Sequence, residues 1–200
     1  MIVSPIKLPT DITIYILNFI NQSGPFILFY DFNKKQFIIK KNPIYLKNIL
    51  AVYKDAYYLQ KINVIDQNEE ICKLAVKKNK SALQFVKKQT EEICKLAVQK
   101  NGYILKIVEN QTNNICILAV QQTPMALEFV ENQTDEICEL AVKKDGLALE
   151  FVLNQTEEIC ELAVKQNGLA LEYVYSQTPK ICKLAINQND DALRYVKNKL

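Results

Sequence analysis

The chain contains no histidine and no tryptophan in its 200 residues, and a single arginine, Arg194, beside 24 lysines. Without histidine there is no imidazole base for a nucleophilic triad, no His–metal site and no proton shuttle tuned near neutrality. Glycine is scarce, with four residues in all, and none opens a Gly-rich phosphate loop. Long apolar runs are missing too. The stretch 12–20 includes Thr13 and Asn18 and is far shorter than the roughly 20 residues a membrane helix needs. Preceded by Pro5, Pro9 and Asp11, it reads as neither a membrane span nor a secretory leader. The six cysteines lack the Cys-x-x-Cys clustering of a four-ligand zinc site. These absences lead us to expect no enzyme, no cofactor, no metal and no membrane insertion.

What is present is a repeat. Cysteine recurs at 22-residue intervals, at Cys72, Cys94, Cys116, Cys138, Cys160 and Cys182, and the residues around it recur as well. A fixed period of this size signals a stacked array, which usually supplies a binding surface rather than a catalytic pocket. The apolar fraction of 49% suffices for a continuous core. The net charge of +3 is too small to argue for nucleic acid, and none is expected as a partner. Residues 1–68 carry eight Lys and four Asp, so +4, and the remainder is close to neutral.

Six repeats are read at 69–90, 91–112, 113–134, 135–156, 157–178 and 179–200, with a degenerate one at 47–68 guessed from Ile49 and Gln67. Each divides into two halves of 11 residues. One half opens at Asn68, Thr90, Thr112, Thr134, Thr156 or Thr178, the other at Asn79, Asn101, Thr123, Asp145, Asn167 or Asn189. All are residue types that cap a helix N-terminus. Pro124 and Pro179 follow a cap directly, where a missing N–H costs nothing. Pairs such as Glu91-Glu92 and Glu157-Glu158 fall at the positive end of the first helix, Lys77-Lys78 and Lys143-Lys144 at its negative end. In the second half Ala82, Phe85, Val86 and Gln89 take i, i+3, i+4 and i+7 spacing, one face of a helix.

The expected fold is therefore all-α, an α-solenoid of 22-residue two-helix repeats. Two rivals stand beside it. One continuous coiled coil would have to carry Gly102, Gly146, Gly168, Pro124 and Pro179 inside a helix, at about 1 kcal/mol per Gly and 3 per Pro. A leucine-rich repeat matches Ile71-x-x-Leu74-x-Val76-x-x-Asn79, but its strand would turn Cys72 and Ala75 to solvent. In the solenoid, equivalent cysteines sit one helix layer apart, about 8–10 Å. A disulfide needs Cα atoms within about 7 Å. The cysteines should thus be a reduced core ladder, which suits the cytoplasm.

The phrase Gln-Thr-Glu-Glu-Ile-Cys-Glu-Leu-Ala-Val-Lys-Gln-Asn-Gly-Leu-Ala-Leu-Glu-Tyr-Val at 155–174 resembles a 22-residue repeat of mimivirus-like giant viruses, a domain of unknown function. The likeness covers about 69–200 and implies a helical repeat acting in the host cytoplasm. Residues 1–46 do not follow the repeat. There Leu8-Pro9-Thr10-Asp11-Ile12 with Ile16-Leu17-Asn18-Phe19-Ile20 resembles the opening helix of an F-box, and Asn42-Pro43-Ile44-Tyr45-Leu46-Lys47 resembles its later part. This resemblance implies a unit at 1–46 that docks a host ubiquitin-ligase adaptor through Leu8, Pro9, Ile12 and Ile16, while the apolar helix face of Leu8, Ile12, Ile16, Leu17 and Phe19 reads alternatively as a helical cap that shields the end of the array.

One position in each half varies while its neighbours stay apolar. It reads Lys73, Gln84, Lys95, Lys106, Ile117, Glu128, Glu139, Glu150, Glu161, Glu172, Lys183 and Arg194, basic at the ends and acidic in the middle. Glu128, Glu139, Glu150, Glu161 and Glu172 are the candidate binding residues for a basic protein partner, with Ile117, Leu153 and Tyr175 as exposed apolar candidates. The expected function is that of a protein–protein interaction repeat which recruits a target to a host ubiquitin ligase. The alternatives are a purely structural scaffold and a leucine-rich binding protein.

Overall fold

The computed structural model describes the backbone at residues 6–7, 12–17, 26–31, 36–40 and 43–197, and side chains at 44 and from 47 to 197. From residue 43 to 197 every regular element is helical. The α-helices are α1 (Pro43–Lys54), α2 (Glu69–Lys78), α3 (Glu91–Val98), α4 (Asn113–Gln122), α5 (Asp135–Lys144), α6 (Glu157–Gln166) and α7 (Pro179–Gln188). Between them lie short 3₁₀ helices: η1 (Ala56–Lys61), η2 (Val64–Asp66), η3 (Lys80–Phe85), η4 (Gly102–Ile107), η5 (Pro124–Phe129), η6 (Gly146–Phe151), η7 (Gly168–Tyr173) and η8 (Asp190–Tyr195). Each α-helix packs on the next α-helix, each repeat's 3₁₀ helix on the next, and the two layers close on one another, which is a solenoid. No strand and no helix running through a repeat boundary occurs at 43–197, so neither rival fold is formed.

Local chemistry starts each α-helix. The side-chain oxygen of Asn68, Thr90, Thr112, Thr134, Thr156 or Thr178 accepts the N–H of the residue three places on, Ile71 through Ile181. That satisfies one of the donors a helix N-terminus leaves free. The second caps act one residue closer. Asn79, Asn101, Asp145, Asn167 and Asn189 each accept the N–H two places on. Thr123 makes no such cap bond; its Oγ1 instead accepts the N–H of Gly102, 3.2 Å away in the preceding repeat.

The second half of each repeat is a 3₁₀ helix, tighter and shorter than the α-helix its apolar spacing also allows. Six residues at about 2.0 Å rise cover about 12 Å, close to the 15 Å of a ten-residue α-helix. The two layers thus match in length although one uses fewer residues. In η3 it is Ala82 and Leu83 that are fully buried, with Val86 at the end, while Phe85 packs half-buried at the rim. The α layer contributes Ile71, Cys72, Ala75 and Val76, and the same positions are buried in every later repeat except at Ile186, the half-buried end of the valine series. A continuous core results, each buried Leu or Ile side chain contributing about 1.5–3 kcal/mol.

Gly102, Gly146 and Gly168 mark a close approach between repeats. A Cβ on Gly146 would lie 2.4 Å from the carbonyl oxygen of Ala163 in α6, and one on Gly102 would lie 2.2 Å from that of Ala119 in α4.

The degenerate repeat differs from the expected 47–68. Val52, Asp55 and Leu59 stand 24 residues before their counterparts Val76, Asn79 and Leu83, yet Gln67 stands 22 before Gln89. Two extra residues are accommodated between Ile62 and Gln67, where η2 forms and carries the exposed Val64 and Ile65. Ile49 is buried, but the residue in the cysteine position is Asn48.

The helical reading of 1–46 is corrected at the described residues 6–7, 12–17, 26–31 and 36–40, whereas 43–46 do open a helix, α1. Four strands, β1 (Ile6–Lys7), β2 (Ile12–Leu17), β3 (Phe26–Asp31) and β4 (Gln36–Lys40), form an antiparallel sheet in the order β1-β2-β3-β4. Ile14 pairs with both Ile6 and Phe29, and Phe29 with Ile38. The reason lies in composition. Ile12-Thr13-Ile14-Tyr15-Ile16 is almost all β-branched or aromatic, the residue types that favour strands. Gly24 and Pro25 separate it in sequence from Phe26-Ile27-Leu28-Phe29-Tyr30, punctuation that suits a hairpin.

Candidate interaction surface

The cysteine ladder lies in the core. All six thiols are unpaired and buried. Burial pushes those of Cys72, Cys94, Cys138 and Cys160 up to about 11. Such thiols are poor nucleophiles, because the reactive species is the thiolate. Among the described residues no group of three or more Cys, Asp or Glu stands close enough to hold a metal ion.

Beside the cysteines runs a second ladder that sequence reasoning missed: Gln67, Gln89, Gln111, Gln133, Gln155 and Gln177. Gln133 shows its role. Its Nε2 donates to the carbonyls of Leu127 in its own repeat (3.3 Å) and Phe151 in the next (2.8 Å). Its Oε1 accepts the N–H of Leu153 (3.0 Å) and the thiol of Cys138 (3.6 Å). Two donors and two lone pairs are all used. The same pattern repeats at Gln89, Gln111, Gln155 and Gln177. The glutamine thereby ties each 3₁₀ helix to the next. Its signal was available, a Gln always five residues before the Cys, but the partners lie 18 and 20 residues away.

The five candidate carboxylates divide by layer. Glu128, Glu150 and Glu172 lie on η5, η6 and η7 and are exposed. None belongs to a salt bridge among the described residues. Glu150 accepts a hydrogen bond from Tyr173, whose phenol is pushed up by burial and then by the charges of Glu150 and Glu172. Glu139 and Glu161 lie on α5 and α6 and are already engaged. Lys143 bridges Glu139 at 2.6 Å. Lys165, at 3.2 Å, and Lys180 of the next repeat both bridge Glu161, whose side chain is only 13% exposed. Lys180 is the main reason the Glu161 carboxyl is held below its usual range.

Of the apolar candidates, Leu153 and Tyr175 are exposed, 66% and 63%. Ile117 is half-buried against the core, a correction to its expected exposure. Ile12 and Ile16 both lie in β2, and Leu8 and Pro9 fall outside the described residues. Ile12 and Ile16 are therefore on a strand and not on the helix expected of them. No helix among the described residues is long and apolar enough to cross a membrane.

Comparison with known proteins agrees with the repeat. No curated protein and no solved structure shows significant similarity to the chain. A family model described as a domain of unknown function, DUF4116, matches residues 68–111, 134–178 and 156–200, each match spanning two of the 22-residue units. Over half of the sequence is covered, and the chain belongs to this DUF4116 repeat family.

Proposed function

We propose that the chain is a non-catalytic interaction scaffold that holds a basic protein partner on its 3₁₀ face. The observation that carries this is the contrast between the two acidic sets. Glu139 and Glu161 are neutralised by lysines within the array, whereas Glu128, Glu150 and Glu172 stand exposed in register with no cation among the described residues paired to them. Successive repeats hold these three carboxylates about 8–10 Å apart. Like charges on that spacing repel one another and create a negative field over roughly a Debye length of 8 Å at physiological salt. A Lys- or Arg-rich surface would relieve that repulsion. Six unpaired thiols fit a reducing compartment, and we place the protein in the cytoplasm. The resemblance to giant-virus repeats supports reading that as the cytoplasm of an infected host.

Changing Glu128, Glu150 and Glu172 together to Lys tests the reading. Rim charges act mainly on association rate. Partners captured by the wild type from host-cell extract should bind the triple variant more slowly and with a weaker salt dependence, while its circular dichroism is unchanged. Equal association kinetics for the two proteins would remove the proposal.

A further inference from the structure

Two of the three glycines at the close approach between repeats follow an asparagine, giving Asn101-Gly102 and Asn167-Gly168, and the chain has no other Asn-Gly pair. Each member of the pair has its own structural reason. The asparagine caps the 3₁₀ helix: Asn101 Oδ1 accepts the N–H of Tyr103 (3.1 Å) and Asn167 Oδ1 that of Leu169 (3.0 Å). The glycine is demanded by space, since a Cβ on Gly168 would lie 2.4 Å from the carbonyl oxygen of Ala185, much as one on Gly102 would press on Ala119. Together they form a chemically labile sequence. With no side chain on the glycine to shield it, the glycine nitrogen can attack Cγ of the preceding carboxamide. The N–Cγ bond forms, the Cγ–Nδ2 bond breaks, and the amide proton departs with Nδ2 as ammonia. Water then opens the cyclic imide at one or other carbonyl, leaving aspartate or isoaspartate.

The stacked array opposes this reaction. Both asparagines have ψ 113°, with extended φ of −165° at Asn101 and −146° at Asn167. That setting turns the next peptide nitrogen away from the asparagine side chain, so ring closure requires rotation about the Cα–C bond. The rotation breaks two contacts. It pulls the carboxamide from its cap, and it pulls the glycine N–H from an acceptor in the following repeat: Thr123 Oγ1 for Gly102 (3.2 Å) and Gln188 Oε1 for Gly168. Both glycines are buried. At Asp145-Gly146 an aspartate makes the same cap, its Oδ1 accepting the N–H of Leu147 (3.1 Å), and Gln166 Oε1 accepts the N–H of Gly146. An aspartate product is therefore accommodated. Isoaspartate lengthens the main chain by one atom and shortens the side chain, which removes the cap geometry.

We propose that Asn101 and Asn167 are modification sites whose conversion to aspartate and isoaspartate is controlled by the following repeat, with Thr123 and Gln188 as the positioning residues. The asparagines stay intact while the repeats are stacked and convert once the next repeat has moved away. Isoaspartate formed in that opened state then hinders restacking at the same joint. The modification thus records local opening of the array at two defined places, and it does so independently of any partner held on the 3₁₀ face.

The full chain is incubated at mildly alkaline pH, folded or in guanidinium chloride, and mass spectrometry of its peptides follows the conversion of amide to acid at each asparagine. In the folded wild type both asparagines should convert at least about tenfold more slowly than in denaturant, because the reaction waits for local opening. This comparison needs no variant. Thr123→Val keeps the branched shape, removes the acceptor and loses no cap bond, since Thr123 makes none. It should speed conversion of Asn101 by about two- to tenfold, the factor governed by one net hydrogen bond, and leave Asn167 at the wild-type rate. Gln188→Ala should speed Asn167 by a similar factor and spare Asn101. Gln188→Glu retains an acceptor and should keep the wild-type rate at Asn167, an outcome that loss of a merely structural contact would not produce. Equal rates in folded and denatured chain, an unchanged Asn101 in Thr123→Val, or equal acceleration by Gln188→Ala and Gln188→Glu would each overturn the proposal.

Discussion

At the scale of single residues, two ladders with different physics run side by side. A cysteine here acts as a small apolar filler with a weak donor, so Cys138→Ala should cost about 1 kcal/mol, as for loss of one small buried group. Gln133→Ala should cost more, about 3 kcal/mol, because it strands the carbonyls of Leu127 and Phe151 and the N–H of Leu153 together. Urea unfolding of the two variants checks the order; equal costs would mean that water replaces the glutamine. The thiols also set a pH dependence. Burial raises the folded-state values of Cys72, Cys94, Cys138 and Cys160 to about 11, whereas a free thiol titrates near 8.5. The unfolded chain therefore loses these protons first as pH rises. The thiol contribution to stability should be full below about pH 8.5 and decline from there to about 11. Urea midpoints across that range should fall less steeply once the four cysteines are changed to alanine.

At the scale of elements, each of the six regular repeats pairs a ten-residue α-helix, eight in the case of α3, with a six-residue 3₁₀ helix, and each half has its own starting signal. Thr156→Ala removes the acceptor for the Ile159 N–H and should cost about 1 kcal/mol. The close approach at the start of η6 is less forgiving. Gly146→Ala puts a methyl group 2.4 Å from backbone oxygen in α6, which must shift, at about 1–3 kcal/mol. Thermal melts distinguish the two: the alanine at 156 should keep a wild-type amide NMR spectrum around Ala163, and the alanine at 146 should not.

For the whole molecule, the array behaves as a row of neighbours, since contacts join adjacent repeats. Removing 135–156 should therefore leave a folded, shorter protein, because Thr134 then leads into Glu157 just as it led into Asp135. Removing only 135–145 would place a 3₁₀ half directly after another and strand the α layer. Hydrogen exchange should show protection through the first deletion variant and its loss around the junction in the second. Global unfolding of the 22-residue deletion would show that the repeats do not act as separable units.

The sequence by itself determined the period, the helical class of residues 43–197, the caps that begin every half but the one at Thr123, and the burial of the cysteines. Those features depend on bonds between residues two or three apart and on an apolar pattern, both of which are local. It did not separate helix from strand at Ile12 and Ile16, because an i, i+4 pair lies on one face of either element. Nor did it show that Glu139 and Glu161 are bridged while Glu128, Glu150 and Glu172 are not, since all five occupy equivalent letters of the repeat. Only the tertiary structure decided these points. Pairing of β2 with β3 fixes the strand, the reach of Lys180 across a repeat boundary closes off Glu161, and a glutamine spanning 18 and 20 residues joins one 3₁₀ helix to the next. Such contacts depend on which repeats stack, and stacking brings together groups that no local pattern places side by side.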